Sequence, residues 1–137
     1  DLDYCDLESE VDMLTLPHLG IAPDMLCEIR PLLGIAGLDK ARTEIDSTIT
    51  PEPILRYVVG LVRRTRELPQ VALGASSRAA IHVLAASKAH ARISDRDTVT
   101  AGDVRAVAPY VLRHRLIVSG TTPQAVLDEI LETVPSP

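Results

Sequence analysis

An alanine-rich segment in the middle of the chain constrains the fold more than any other stretch. It begins at Ser76-Ser77-Arg78, after the loop that ends at Gly74, and its apolar residues keep a helical spacing to about Arg92. Alanines stand at positions 79, 80, 85, 86, 89 and 91. Because alanine has a small side chain, this pattern predicts a long helix against which other helices pack closely.

The composition agrees with a closely packed helical protein. Hydrophobic residues make up 46% of the 137 residues, yet Trp and Phe are absent and only three residues are Tyr. The core must therefore be built from Ala, Val, Leu and Ile. A chain of this length is enough for one ordinary domain with a real core. We expect an all-α fold, a single compact helical bundle.

Capping signals place the helices on both sides of the central one. Residues 3–16 have an amphipathic pattern, and residues 38–45 predict a short helix. Thr50-Pro51 resembles an N-cap followed by a first-turn proline. Thr100-Ala101-Gly102-Asp103 has the form of a capping box, and the helix it opens must tolerate Pro109. Thr122-Pro123 predicts a last helix that continues to about residue 133.

Two very short patches have β-sheet character. They cover residues 47–49 and 98–99, and each lies just upstream of a predicted helix cap. The two patches are therefore candidates to pair with one another. Residues 68–74 are predicted to form a loop.

The positive charge of Arg78 is unfavourably placed in the helix that contains it. Ser76 is a favourable N-cap residue whose hydroxyl is expected to accept a first-turn N–H, and this places Arg78 in the first turn. A cation there opposes the helix dipole. Two interpretations stay open. Arg78 is either an exposed arginine whose stem covers apolar surface, or one part of an anion site, since first-turn N–H groups, the dipole and a guanidinium all favour phosphate.

Motifs for catalysis are missing from the sequence. It contains neither the phosphate-binding Gly-x-x-x-x-Gly-Lys-[Ser/Thr] nor Gly-x-Gly-x-x-Gly, and no convincing nucleophile. No two of its four histidines have the spacing that places two ligands on one helix face, so no metal site is predicted.

The basic clusters have two interpretations each. Arg63-Arg64-Thr65-Arg66 and Arg113-His114-Arg115 are first of all solvated helix ends. The former could also be a nucleic-acid or partner patch, and the latter a contact to a neighbouring subunit or a ligand. A net charge of −5 and the scarcity of aromatic residues argue against nucleic acid as a partner.

The sequence also predicts a location. Cys5 and Cys27 lack metal-site spacing and are expected to be reduced, no apolar run is long enough to span a bilayer, and no signal peptide opens the chain. We expect a cytoplasmic protein. Because the chain begins at Asp1 rather than at Met, we also expect it to be a piece of a longer protein.

Several segments together resemble the C-terminal helical lid of MoxR-family AAA+ ATPases. The resemblance covers residues 49–118 closely, and Gly74-Ala75-Ser76-Ser77-Arg78-Ala79 with Leu112-Arg113-His114-Arg115-Leu116 are its most specific motifs. Tyr4 to Leu14 is similar to the helix that leaves the family's ATPase core, and Gln124 to Pro137 resembles the family's C-terminal end. The resemblance divides the chain into connecting helices at 1–48, the lid core at 49–118 and a C-terminal helix at 119–137.

The resemblance implies a function shared with a separate core domain. Arg78 matches the sensor 2 arginine, which contacts the terminal phosphate of ATP, and Gly74, Ala75 and Ser76 belong to the same nucleotide-binding stretch. The Walker A loop, the acidic Mg²⁺-binding motif and the arginine finger belong to the core. The family further implies a chaperone-like ring, a hexamer, and partners with a von Willebrand factor A domain.

Two positions depart from the family pattern. Ser77 stands where the family usually has Pro, and the connection from Val118 to Thr122 is shorter than in the family. A different class of function also stays open, namely a stand-alone helical module that binds a protein partner without nucleotide. A Walker A motif upstream of Asp1 would favour the lid, and its absence would favour the module. A helical DNA-binding domain that uses Arg63, Arg64 and Arg66 is a third, weaker interpretation.

Overall fold

The computed structural model describes residues 4–15 and 30–137. The chain divides into two compact units, Asp1–Gly34 and Ile35–Pro137. The described helices and strands are α1 (Leu7–Thr15), α2 (Ile35–Asp46), α3 (Glu52–Arg64), β1 (Val71–Leu73), α4 (Ser77–Ile93), α5 (Ala101–Leu112), a 3₁₀ turn (Arg113–Arg115), β2 (Ile117–Val118) and α6 (Pro123–Thr133). The predicted all-α helical fold, with only very short extended segments, is confirmed. Cys27 lies outside the described residues.

Helix α4 is the central element of the second unit. It packs against α2, α3 and α5. Ala79 and Ala91 on this helix have no exposed surface at all, as the prediction of close helix approach requires. The core around them is aliphatic, and its largest fully buried side chains are Leu61, Leu112, Leu127, Ile130, Val62 and Val83.

The predicted capping signals are confirmed at α5 and α6. Thr100 and Asp103 form a reciprocal capping box, in which the Thr100 N–H donates to the Asp103 carboxylate at 2.8 Å. The Thr122 hydroxyl accepts the Ala125 N–H at 3.2 Å. Pro109 lies inside α5, which continues to Leu112.

The start of α3 differs from its prediction. Pro51 rather than Thr50 is the N-cap, and the helix begins at Glu52. The Thr50 hydroxyl is buried without a hydrogen-bond partner among the described residues. The predicted cap was wrong by one position because the backbone of Pro51, which is extended at φ −60° and ψ 146°, already serves as the N-cap.

Two pairs of extended segments connect the helices. The predicted pairing of the 47–49 and 98–99 patches is confirmed as a parallel bridge, in which the Ile49 N–H donates to the Asp97 carbonyl at 2.8 Å and the Val99 N–H donates to the Ile49 carbonyl at 2.9 Å. The segment 68–74, predicted as a loop, instead contains β1, which pairs with β2 in an antiparallel arrangement.

Helix α4 also holds the segment that follows α2. The Lys88 ammonium donates to the Asp46 carbonyl at 2.9 Å. Arg92 donates to the Thr48 hydroxyl at 3.0 Å and to the Ser47 hydroxyl at 3.2 Å. The end of α2 is thus fixed to the last two turns of α4.

Candidate functional site

The first turn of α4 is open at its N-terminus. Ser76 is the N-cap residue as predicted, but its hydroxyl accepts no first-turn N–H, so the expected side-chain cap was wrong. The Ala79 N–H donates to the backbone carbonyl of Ser76 at 2.9 Å instead. The N–H groups of Ser77 and Arg78 have no acceptor within the helix, because the first turn of any helix lacks a preceding turn. Uncapped N–H groups at a helix N-terminus are of the kind that binds anions in proteins.

Arg78 is exposed at the second residue of this helix. The first turn contains no acidic residue. Within residues 4–15 and 30–137, the Arg78 side chain has no hydrogen bond and no ion pair with a carboxylate. The conflict between the cation and the helix dipole is therefore not resolved by any described residue of this chain.

The loop before α4 lies directly on the end of α3. The Ala75 N–H donates to the Thr65 hydroxyl at 2.9 Å, and the Ala75 carbonyl accepts from the Arg66 Nε at 2.7 Å. A Cβ atom on Gly74 would lie 2.8 Å from the Thr65 carbonyl oxygen and 2.7 Å from the Arg66 Cγ. Only glycine fits this approach without displacement of the backbone.

Thr65 and Arg66 were not recognised from the sequence as part of this site. Arg66 was interpreted as a solvated helix-end cation, since its cluster has the composition of an ordinary helix C-terminus. The structure shows that one of its nitrogens is engaged with the loop. The glycine of Leu73-Gly74-Ala75 was the available signal, because a glycine before a helix N-cap indicates close backbone approach.

A groove runs between α3 and α4 beside this first turn. Its volume is about 670 Å³. Its lining combines four apolar residues with four polar or charged ones, namely Val59, Val62, Ala80 and Ile81 with Arg63, Arg66, Glu67 and Ser77. The open helix start thus borders a partly apolar, partly basic surface.

The strand pair brings the two predicted site segments to one end of the sheet. Leu73 at the end of β1 pairs with Ile117 at the start of β2. In an antiparallel pair the end of one strand adjoins the start of the other. The Gly74–Arg78 segment therefore leaves the sheet where the chain arrives from Arg113–Arg115. The Arg115 Nε is buried without a hydrogen-bond partner among the described residues.

The start of α5 differs from that of α4, because its first turn contains a carboxylate, that of Asp103. Its carboxylate is 1% exposed and accepts from the Arg96 guanidinium at 2.6 Å, and it pairs with the His90 Nδ1 at 2.6 Å. The hydrogen bonds from Arg96, His90 and Thr100 hold the pKa of the Asp103 carboxyl well below its usual range, against the opposing effect of burial. This cluster is internally satisfied and stabilises the fold.

No cluster of three or more potential metal ligands occurs among the described residues. None of the helices in residues 4–15 and 30–137 is long and apolar enough to cross a bilayer. The geometry is that of a helical domain that exposes an open, basic helix start beside a groove.

The comparison with known protein families identifies the class of this domain. Residues 63–134 match the model of the AAA lid domain, which is more than half of the chain. The chain belongs to the AAA lid domain family.

The relatives place the chain more closely, among MoxR-type proteins. It is 30% identical to the chaperone MoxR1 of Mycobacterium tuberculosis over an alignment of 135 residues, and the match covers 88% of this chain and 35% of that protein. It is 28% identical to the uncharacterised protein YeaC of Bacillus subtilis, over 99% of this chain and 43% of that protein. The predicted resemblance to the lid of MoxR-family AAA+ ATPases is confirmed.

A solved structure agrees with the same placement. The crystal structure of a presumed ATPase from Cytophaga hutchinsonii superposes with a TM-score of 0.76 and 26% identity, over 99% of this chain and 45% of that chain. In each of these three comparisons the chain spans less than half of the relative's length.

Proposed function

We propose that this chain is the lid of an AAA+ ATPase and contributes Arg78 as a sensor 2 arginine to the binding and hydrolysis of ATP. The observation that carries the proposal is the position of Arg78, an exposed cation in a helix first turn that has neither an acidic residue nor a side-chain cap. A terminal phosphate would satisfy the guanidinium and the free N–H groups at once.

In this proposal Arg78 supplies positive charge where negative charge accumulates during phosphoryl transfer. A charge-assisted contact in a site closed from water is worth on the order of a few kcal/mol to the transition state. Gly74, Ala75 and Ser76 shape the backbone that approaches the nucleotide. Mg²⁺ would be held by the acidic motif of the nucleotide-binding core, as the resemblance to MoxR-family AAA+ ATPases implies.

The core domain is the first partner that the proposal requires. Without a Walker A loop, the chain alone is expected to hydrolyse nothing. Arg113, His114 and Arg115 are proposed to contact either the nucleotide or a neighbouring subunit, because they enter the strand pair at the end where Gly74 leaves it.

The wider assembly belongs to the same proposal. We expect a hexameric, chaperone-like ring in the cytoplasm, with a von Willebrand factor A domain protein as a partner. The chaperone function named for MoxR1 supports this expectation for a relative of this chain.

The proposal is tested by Arg78→Ala in the full-length protein that carries this chain. ATP turnover should fall on the order of 100-fold, because a preorganised charge contact to the transition state is lost. Arg56→Ala is the matched control, since Arg56 is also an exposed helix arginine and pairs with Glu52 on its own helix. Unchanged turnover in Arg78→Ala, with the control also unchanged, would refute the assignment.

A further inference from the structure

The position of Arg78 depends on the contact between the end of α3 and the loop that precedes α4. Helix α4 begins three residues after Gly74, whose backbone is packed against Thr65 and Arg66, the two residues that directly follow α3. The segment 74–76 is therefore too short and too closely packed to move far while α3 stays fixed. Whatever holds Gly74 and Ala75 also sets the place where α4 starts.

We propose that Thr65 and Arg66 are positioning residues that hold the first turn of α4, and with it Arg78, at the correct place for the terminal phosphate. This inference rests on the proposed function. It assigns to Thr65 and Arg66 an indirect role, because they act through the backbone of Ala75 rather than on the nucleotide itself.

The contacts of Ala75 support this role. Both of its backbone polar groups are taken by consecutive residues at the end of α3, the N–H by the Thr65 hydroxyl at 2.9 Å and the carbonyl by the Arg66 Nε at 2.7 Å. Ala75 is 1% exposed, so water does not compete for these groups. The two peptide groups on either side of the Ala75 Cα are therefore both held.

The Thr65 side chain is itself held by α3. It is fully buried, and its hydroxyl donates to the Val62 carbonyl at 2.6 Å while it accepts from Ala75. One hydroxyl thus links the last turn of α3 to the loop before α4. This chain of hydrogen bonds connects two helices whose relative position decides where Arg78 lies.

Arg66 has no carboxylate partner among the described residues, whereas its neighbour Arg64 pairs with Glu67 at 3.5 Å. The contact of Arg66 with the loop is therefore the specific interaction of this side chain. Arg64 provides the matched control, because it is an arginine at the same helix end whose side chain pairs with Glu67 rather than with Ala75.

Loss of the hydrogen bonds that join Thr65 and Arg66 to Ala75 should affect catalysis more than substrate binding. A displacement of about 1 Å at a catalytic group can cost on the order of 100-fold in rate. Substrate binding also draws on the core domain and should change less. Arg66→Ala and Thr65→Val should therefore lower kcat by about tenfold or more and change KM for ATP by less than about threefold.

The experiment is a double-mutant cycle in the full-length protein, read as kcat and KM for ATP. Arg66→Ala is made alone and together with Arg78→Ala, with Arg64→Ala as the control and Thr65→Ser as the variant that keeps the hydroxyl. If Arg66 acts through Arg78, Arg66→Ala should lower kcat in the native background and have no further effect once Arg78 is gone. Thr65→Ser should retain most of the activity that Thr65→Val loses.

Each other outcome contradicts the inference in a recognisable way. Full activity of Arg66→Ala and Thr65→Val, with Arg78→Ala impaired, refutes the positioning role and leaves the function of Arg78 intact. A further loss of kcat when Arg66→Ala is added to Arg78→Ala shows that Arg66 acts independently of Arg78, and also refutes it. If Arg78→Ala itself is fully active, the proposed function fails, and the inference fails with it.

Discussion

The starts of α4 and α5 are built in opposite ways within one small domain. At α5, the Thr100–Asp103 capping box satisfies first-turn N–H groups and places a carboxylate at the positive end of the helix dipole. At α4, Ser76 gives no side-chain cap and the charged residue of the first turn is Arg78. The first start is complete within the chain. The second would be completed by an anion from outside, so the two should respond differently to the same kind of mutation.

Removal of the charge at α5 should have the largest effect on stability. Asp103→Asn leaves Arg96 and His90 without their buried anionic partner and should lower the free energy of unfolding by about 2–4 kcal/mol at neutral pH. Urea unfolding of the native and variant domains measures this difference.

The difference in stability between the native protein and Asp103→Asn should decrease as pH falls. The pKa of Asp103 is lowered by folding from its ordinary value of 3.8, so its contribution is fully present above that pH and is lost as pH falls towards the folded-state pKa. The stability difference between the native protein and Asp103→Asn should therefore begin to narrow below about pH 4 and keep narrowing as pH falls further. A gap of constant size from pH 7 to pH 2 would contradict the role of the carboxylate charge.

Truncation of the two cap residues compares the helix starts directly. Thr100→Ala removes a hydroxyl that accepts the Asp103 N–H and should cost about 1 kcal/mol. Ser76→Ala removes a hydroxyl that caps nothing and should cost less than about 0.5 kcal/mol. Thermal unfolding of both variants checks the pair, and an equal loss of stability would show that α4 is capped in solution.

Charge reversal at α4 should separate stability from function. Arg78→Glu places an anion at the positive end of the dipole and should raise the free energy of unfolding by about 0.3–1 kcal/mol. The same variant should lose ATP turnover in the full-length protein, because it presents a negative charge to a phosphate. Destabilisation by Arg78→Glu would mean that the native arginine serves the fold.

Local signals in the sequence were sufficient for much of the fold. The capping box at Thr100 and the cap at Thr122 are contained within four residues each, and the alanines of α4 report close packing directly. These features were predicted correctly, since the interactions that determine them are short-range. Arg78 was singled out by the same kind of reasoning, from its conflict with the helix dipole.

The features that were missed depend on contacts between distant segments. Strands β1 and β2 have three and two residues, so neither is long enough to show the alternating apolar pattern by which a strand is predicted. Each is stabilised by its pairing with the other. The engagement of Arg66 with Ala75 depends on how α3 meets the loop, which composition does not reveal. Ser76 makes no side-chain cap although its residue type is favourable, so residue type alone did not determine how this helix begins.

The most direct test of the account is a structure of the full-length protein with a non-hydrolysable ATP analogue and Mg²⁺. We expect the Arg78 guanidinium within about 2.7–3.0 Å of an oxygen of the terminal phosphate, with the first turn of α4 facing it. A bound nucleotide whose terminal phosphate is met only by other cations, with Arg78 left in solvent, would contradict the central claim.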